Sequence, residues 1–234
     1  MLSDDFKNAT IEAIYWWNRT ENYYHKYFSK FDKIYKDKEL LDFFVEKLFN
    51  VFLIEYSVRR NINSGKDSVN KFLEELMSYD FINRIKLGDI EAIDDISDKL
   101  LKSKISVDNH TISLLSKIAF LVNPIEFSIS DSLAKKSLWH LTIGKHNYLK
   151  YNLNNYSIFY KLVNNLLIEF EEILHEQQKT LKLFEGTEAS IFYSKNLIAF
   201  NRRILDKFFW LKAQKESGSR IIFNNEPYLD FLKM

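Results

Sequence analysis

Apolar residues recur along this chain at the three- and four-residue spacing of α-helices. Phe6, Ile11, Ile14 and Tyr15 open the first such run, with Ser3 or Asp4 in position to cap it. Asp37 is placed to cap a second, whose broad apolar face is Leu40, Leu41, Phe44, Leu48, Val51 and Phe52, and Gly65 closes it. Asp67 and Ser68 reopen a helix that runs to Leu87, where Gly88 stops it, and a short acidic helix follows over 89–101. Asp108 is placed to cap a helix reaching Val122. Asn123-Pro124 ends that helix, because a residue before proline is pushed out of the α region. Ser130 or Asp131 caps the next. Two long helices are predicted over 154–183 and 187–215, separated by Gly186. Arg220-Ile221-Ile222-Phe223, in the tail 219–234, predicts a short strand or an extended arm.

Only two prolines and five glycines punctuate 234 residues, which suits long helices and argues against a turn-rich β fold. The expected fold is all-α: two packed helical lobes, 1–104 and 105–216, with a tail at 217–234 and little or no strand. No internal repeat or low-complexity run is visible. Hydrophobic residues make up 46% and aromatics 16%, enough for a core without covalent or metal staples. The absence of cysteine excludes disulfides, zinc–thiolate sites, cysteine nucleophiles and cysteine-held iron–sulfur clusters. No metal or other cofactor is expected. The acidic N-terminus, Met1 to Phe6, does not read as a signal peptide, and the apolar run 43–54 is interrupted by Glu46, Lys47 and Asn50. A cytoplasmic protein without membrane contact is the expectation.

Charge sharpens this picture through its distribution. The totals nearly cancel, 33 basic against 32 acidic residues. Yet no acidic residue occurs from 132 to 168, a window that holds Lys135, Lys136, Lys145, Lys150, Lys161, His140 and His146. Upstream, Asp89, Glu91, Asp94, Asp95 and Asp98 cluster. Such segregation can build one basic face on a neutral protein. Trp139, Tyr148, Tyr151, Tyr156 and Tyr160 are interleaved with the lysines. Basic groups neutralise phosphate and aromatic faces stack on bases, so nucleic acid is the partner this window suggests.

The chemistry-bearing unit is S-K-I-A-F-L-V-N-P-I-E-F-S-I-S-D-S-L-A-K-K-S-L, residues 116–138. Lys117 sits on a helix, Pro124 forces a turn, and Asp131 opens the next helix. Phe120, Leu121, Phe127 and Ile129 are placed to pin the turn to the core. The reversal can bring Lys117 and Asp131 to one side of a helical hairpin. A lysine amine can attack the sugar carbon that bears a base, and a carboxylate can stabilise the cation that develops or take the amine's proton.

The unit resembles the core motif of the bacterial 8-oxoguanine DNA glycosylase-like proteins, within the helix-hairpin-helix DNA glycosylase superfamily. Ser116-Lys117, Pro124, Phe127, Ile129 and Asp131-Ser132 match that motif in order. Tyr56-Ser57-Val58-Arg59-Arg60 resembles an upstream aromatic-x-x-Arg helix, and Arg203 to Trp210 a C-terminal Arg-x-x-Asp-x-x-x-Trp helix. The resemblance implies excision of damaged or modified bases from duplex DNA, with Lys117 as nucleophile and Asp131 as catalytic carboxylate. It also implies a possible lysine Schiff-base lyase activity and a setting such as genome defence. Ser116, Ser132, Lys135, Lys136, Trp139, His140, Lys145, His146, Lys150 and Arg203 are the candidate DNA contacts. The chain departs from the superfamily at Leu114-Leu115-Ser116-Lys117, where a glycine-rich hairpin would grip phosphate.

Plainer roles exist for each residue. Asp131 alone is an N-cap, Lys117 alone a solvated helix lysine, Arg203 and Asp206 a local ion pair, Trp139 a core residue and His140 a satisfied partner. Trp16 and Trp17 read as rim and core. Two other functions compete: a helical module that binds DNA or protein without chemistry, and a HEPN-type ribonuclease, whose Arg-x(4–6)-His pattern Arg19 and His25 match.

Overall fold

The computed structural model describes residues 2–65, 67–107, 111–142 and 153–216. The first apolar run forms α1 (Leu2–Trp16), a single π-turn (Trp17–Glu21) and α2 (Asn22–Phe28) without interruption. The helix starts ahead of both predicted caps, and Asp4 and Asp5 instead lie in its first turn, where carboxylates meet the positive end of the helix dipole. The π-turn takes an extra residue into the turn, and both Trp17 and Glu21 at its ends are fully buried.

After α3 (Phe31–Ile34), Asp37 caps α4 (Lys38–Phe43) as expected, accepting from the Leu40 amide at 3.1 Å. A second π stretch (Phe44–Phe49) leads into α5 (Asn50–Glu55). Phe44, Leu48 and Phe52 of the predicted face are buried, whereas Leu40 and Val51 stay exposed. The helix ends at Tyr56, well before Gly65, because Ser57 turns left-handed at φ 54°. The helix predicted over 67–87 divides at Asp80, also left-handed, into α6 (Ser68–Ser78) and α7 (Phe81–Lys86). Gly88, at φ +77°, ends α7 as its sequence position suggests. Next come α8 (Glu91–Lys102) and α9 (Thr111–Val122); the Asp108 cap lies outside the described residues. Then come α10 (Ser132–Thr142) and α11 (Tyr156–Glu169).

The two long C-terminal helices are each interrupted. The first breaks at Phe170 into α11 and α12 (Glu171–Gln178), followed by a 3-10 turn (Lys179–Phe184). Neither glycine nor proline marks that break. The Phe170 ring packs on Phe6 and Phe208, so a core contact sets the bend. The second divides at 194–196 into α13 (Glu188–Tyr193), capped by Thr187, and α14 (Leu197–Glu216). Among the described residues there is no strand, only an isolated antiparallel bridge between Ile62 and Ser106. No helix among them is long and apolar enough to cross a membrane. The predicted tail arm lies outside the described residues.

Two helices organise the packing. α9 is buried along almost its whole length and packs against α2, α7 and α8. α14 packs along α1 and α10 and also meets α11, α12 and α13, so the first and last helices of the described residues lie together. One continuous hydrophobic core joins the two groups. Each fully buried Leu, Ile or Phe in it contributes about 1.5–3 kcal/mol of transfer free energy.

Between α9 and α10 the chain turns at 124–126 and then runs without regular secondary structure to 131, and polar side chains hold it in place. Asn123 donates to the Ile85 carbonyl at 3.1 Å, and Arg202 Nε to the Ile125 carbonyl at 2.7 Å. The Tyr156 hydroxyl donates to the Ser128 carbonyl at 2.9 Å and accepts from the Ser128 amide at 3.1 Å. Ser116 Oγ accepts from the Ser130 amide at 3.0 Å. Phe120, Leu121, Phe127 and Ile129 are all buried beneath. Because Tyr156 satisfies two buried backbone groups at once, Tyr156→Phe is expected to cost about 1–3 kcal/mol in chemical denaturation, with secondary structure unchanged by circular dichroism.

A lysine-lined cleft as candidate active site

The segment after the turn brings Asp131 to the lining of a cleft of about 740 Å³, a size within the range of small-ligand pockets. α9 supplies Ser113 and Lys117; the turn after α5 supplies Tyr56, Ser57 and Arg60; α14 supplies Arg203, Asp206, Lys207 and Trp210; α1 supplies Trp16.

Asp131 does two things. Its Oδ1 caps α10, accepting from the Leu133 and Ala134 amides at 3.0 and 2.9 Å. Its Oδ2 faces Lys117 Nζ at 4.0 Å. The plain reading of Asp131 as a cap is therefore correct and incomplete. Lys117 is not a solvated lysine, since its side chain is only 9% exposed. Its amine donates to the Tyr56 carbonyl at 3.2 Å and to Ser113 Oγ at 3.4 Å. Burial pushes its pKa below the usual lysine value, against the opposing pull of Asp131 and Asp206.

The α14 wall holds a denser set of charges. Arg203 is buried, pairs with Glu21 and Asp206, and lies over the Phe120 ring at 5.0 Å. The expected local pair with Asp206 is present, but the longer-range partner Glu21 also takes Arg203 Nε at 3.0 Å. Burial raises Asp206 to about 6 and lowers Lys207 to about 8. Lys207 Nζ lies 4.5 Å from the Trp16 ring centre and 5.8 Å from that of Trp210.

Of the predicted site residues, Lys117, Asp131, Ser132, Lys135 and Arg203 line this cleft. Lys135 is half-buried and donates to Asn154 at 3.2 Å. Ser116 is fully buried behind the cleft, its hydroxyl used to hold the hairpin, so it has no surface to offer DNA. Arg203 likewise reaches the cleft only as a buried ion pair. Lys136 and His140 are exposed and Trp139 is half-buried, all on α10 beyond the cleft lining. Lys145, His146 and Lys150 lie outside the described residues, as do Tyr148 and Tyr151. Tyr156 and Tyr160 face inward: Tyr156 is fully buried, and Tyr160 lies against Arg202.

Three residues of the acidic cluster serve architecture, while Glu91 and Asp98 are exposed. Arg84 bonds Asp89 and Asp95, each at 2.7 Å, and Asp94 caps α11 through the Tyr156 and Ser157 amides. Arg19 and His25 point to different surroundings. Arg19 is exposed over Tyr15 and Trp16. His25 packs on Trp17 and Phe192, and its Nδ1–H donates to the Leu121 carbonyl at 2.7 Å. Among the described residues no three His, Asp or Glu side chains converge as a metal site.

Lys207, Trp210 and Trp16 were not singled out as site residues by their sequence context. A signal was available: Arg203, Asp206, Lys207 and Trp210 fall at i, i+3, i+4 and i+7, one face of a helix that is otherwise largely apolar. No protein-family model matches the chain, and neither the curated proteins nor the solved structures contain a match.

A lysine held well below its ordinary pKa destabilises the fold that holds it, because the unfolded chain binds the proton more readily. That cost is present at neutral pH and fades as the pH rises toward the unfolded value. Lys207→Met is therefore expected to raise the stability by roughly 1–3 kcal/mol at pH 7, read by thermal or urea unfolding, with a smaller gain at pH 9.5.

Proposed function

We propose that this cleft receives a nucleotide of damaged or modified duplex DNA, and that Lys117 and Asp131 cleave its N-glycosidic bond in the manner of helix-hairpin-helix DNA glycosylases. The observation that carries the reading is the buried Lys117 amine, open to the cleft and opposite an aspartate fixed by the start of α10. A lysine must lose its proton before it can attack, and desolvation favours the neutral amine. Its nitrogen forms the new bond to C1′ as the bond from C1′ to the base breaks. Asp131 Oδ2 lies where it can stabilise the positive charge on the sugar and accept the proton released by the amine. The two α10 amides on Oδ1 keep the carboxylate aimed. Opening of the sugar ring then leaves a Schiff base on Lys117, from which strand scission can follow. Ser132, Lys135 and Arg60 at the cleft, with Lys136 and His140 further along α10, supply phosphate contacts in place of the missing glycine-rich hairpin.

The test is borohydride trapping on duplexes carrying oxidised or modified bases. The wild type should form a covalent adduct and Lys117→Gln should form none. Asp131→Asn retains a good N-cap, so it should fold normally and lose on the order of a hundredfold in excision rate. An adduct that persists in Lys117→Gln on these substrates would overturn the assignment. A second reading, binding without chemistry, draws on the two hydrogen bonds that already engage the Lys117 amine. It predicts DNA binding with no adduct on any substrate.

A further inference from the structure

Lys117, Lys135 and Lys207 all line the cleft, and the surroundings of Lys207 differ from those of the other two. Lys207 projects from α14 between the indoles of Trp16 and Trp210, is only 8% exposed, and lines the same cavity. Among the described residues no hydrogen-bond acceptor engages its Nζ, whereas Lys117 has two. The groups that act on it electrostatically are Arg203, Glu21, Asp206 and Glu12. A lysine pressed between apolar faces, beside another cation and without an acceptor, has little to hold its proton. Cation–π attraction to the two rings offsets this only partly.

We propose that Lys207 is a carbonyl-reactive amine in its own right, forming an imine with the open-chain aldehyde of an abasic sugar bound in the cleft. The proposal rests on the reading of the cleft as a nucleotide site, but not on Lys117 being a nucleophile. The neutral nitrogen adds to the aldehyde carbon. The carbonyl oxygen takes up protons and departs as water, leaving a C=N bond to Lys207. Asp206, on the same wall and raised by burial to about 6, is the carboxyl at hand to give a proton to the departing oxygen and recover it. A pKa pushed down to about 8 leaves far more of the amine neutral at pH 7.5 than an ordinary lysine has. The substrate class is wider than a damaged base: DNA that already lacks a base would be bound covalently without any glycosidic step.

The experiment uses the full chain and a duplex carrying one preformed abasic site. Cyanoborohydride at pH 7.5 delivers hydride to the imine carbon and fixes a secondary amine, which peptide mapping by mass spectrometry then locates. Lys117→Gln removes the excision chemistry, and the preformed site makes excision unnecessary. This variant should still be trapped, with the adduct on Lys207. Adding Lys207→Arg keeps a cation between the indoles and should lower trapping at least about tenfold, with tryptophan fluorescence and unfolding midpoint near those of Lys117→Gln. Trapping of the wild type at Lys117, with none on Lys207 in Lys117→Gln, sinks this inference and leaves the glycosylase reading intact. An adduct on Lys207 alone, even in the wild type, supports the inference and removes Lys117 as nucleophile. No adduct in either protein overturns both.

Discussion

The buried pairing of Arg203 with Glu21 is the interaction on which the site depends. Neither charge tolerates burial alone: an unpaired ion in the interior costs several kcal/mol. The partners are far apart in sequence, one at the end of a π-turn near the N-terminus and the other on α14. Their contact fixes how α14 is rotated against α1, and the Arg203 face on Phe120 fixes it against α9. Once Arg203 points inward, helical spacing places Asp206, Lys207 and Trp210 along the cleft wall. The extra residue in the π-turn brings Glu21 into the core beside Trp17.

The opposite wall follows the same logic with backbone groups in place of charges. A segment outside any helix that crosses a protein interior carries amides and carbonyls that must be satisfied. Tyr156, Ser116 and Arg202 satisfy several of them between Ile125 and Ser130. This rigid lead-in gives Asp131 a defined place, so one carboxylate oxygen can cap a helix while the other faces Lys117. Asp131 can cap α10 and face Lys117 together because a carboxylate has two oxygens and the helix start uses only one.

Burial gives the cleft its unusual character. Lys117 and Lys207 are pushed toward neutrality and Asp206 toward protonation, all mainly by loss of water. A fold under no other demand would place such groups in solvent, where they cost nothing. Lys117 and Lys207 thus bring two largely desolvated amines to one cavity.

The sequence by itself determined the helical class, the stop at Gly88, the cap at Asp37, a cap at Ser130 or Asp131, and the reversal at Pro124, because each rests on local rules of spacing, capping or backbone restriction. It also identified Lys117 and Asp131 as a pair worth placing together. Tertiary packing decided the rest. Helix breaks at Phe170 and Asp80 have no proline or glycine to announce them, and the first follows from ring contacts with Phe6 and Phe208. Ser116 resembled a surface contact and became a buried clamp, while part of the acidic cluster became a cap and a partner for Arg84. Lys207 and Trp16 are distant in sequence and ordinary in local pattern. Only the packing of α1 along α14 brings them together and removes the water around them, and desolvation is a property of the folded surroundings rather than of any short stretch of chain.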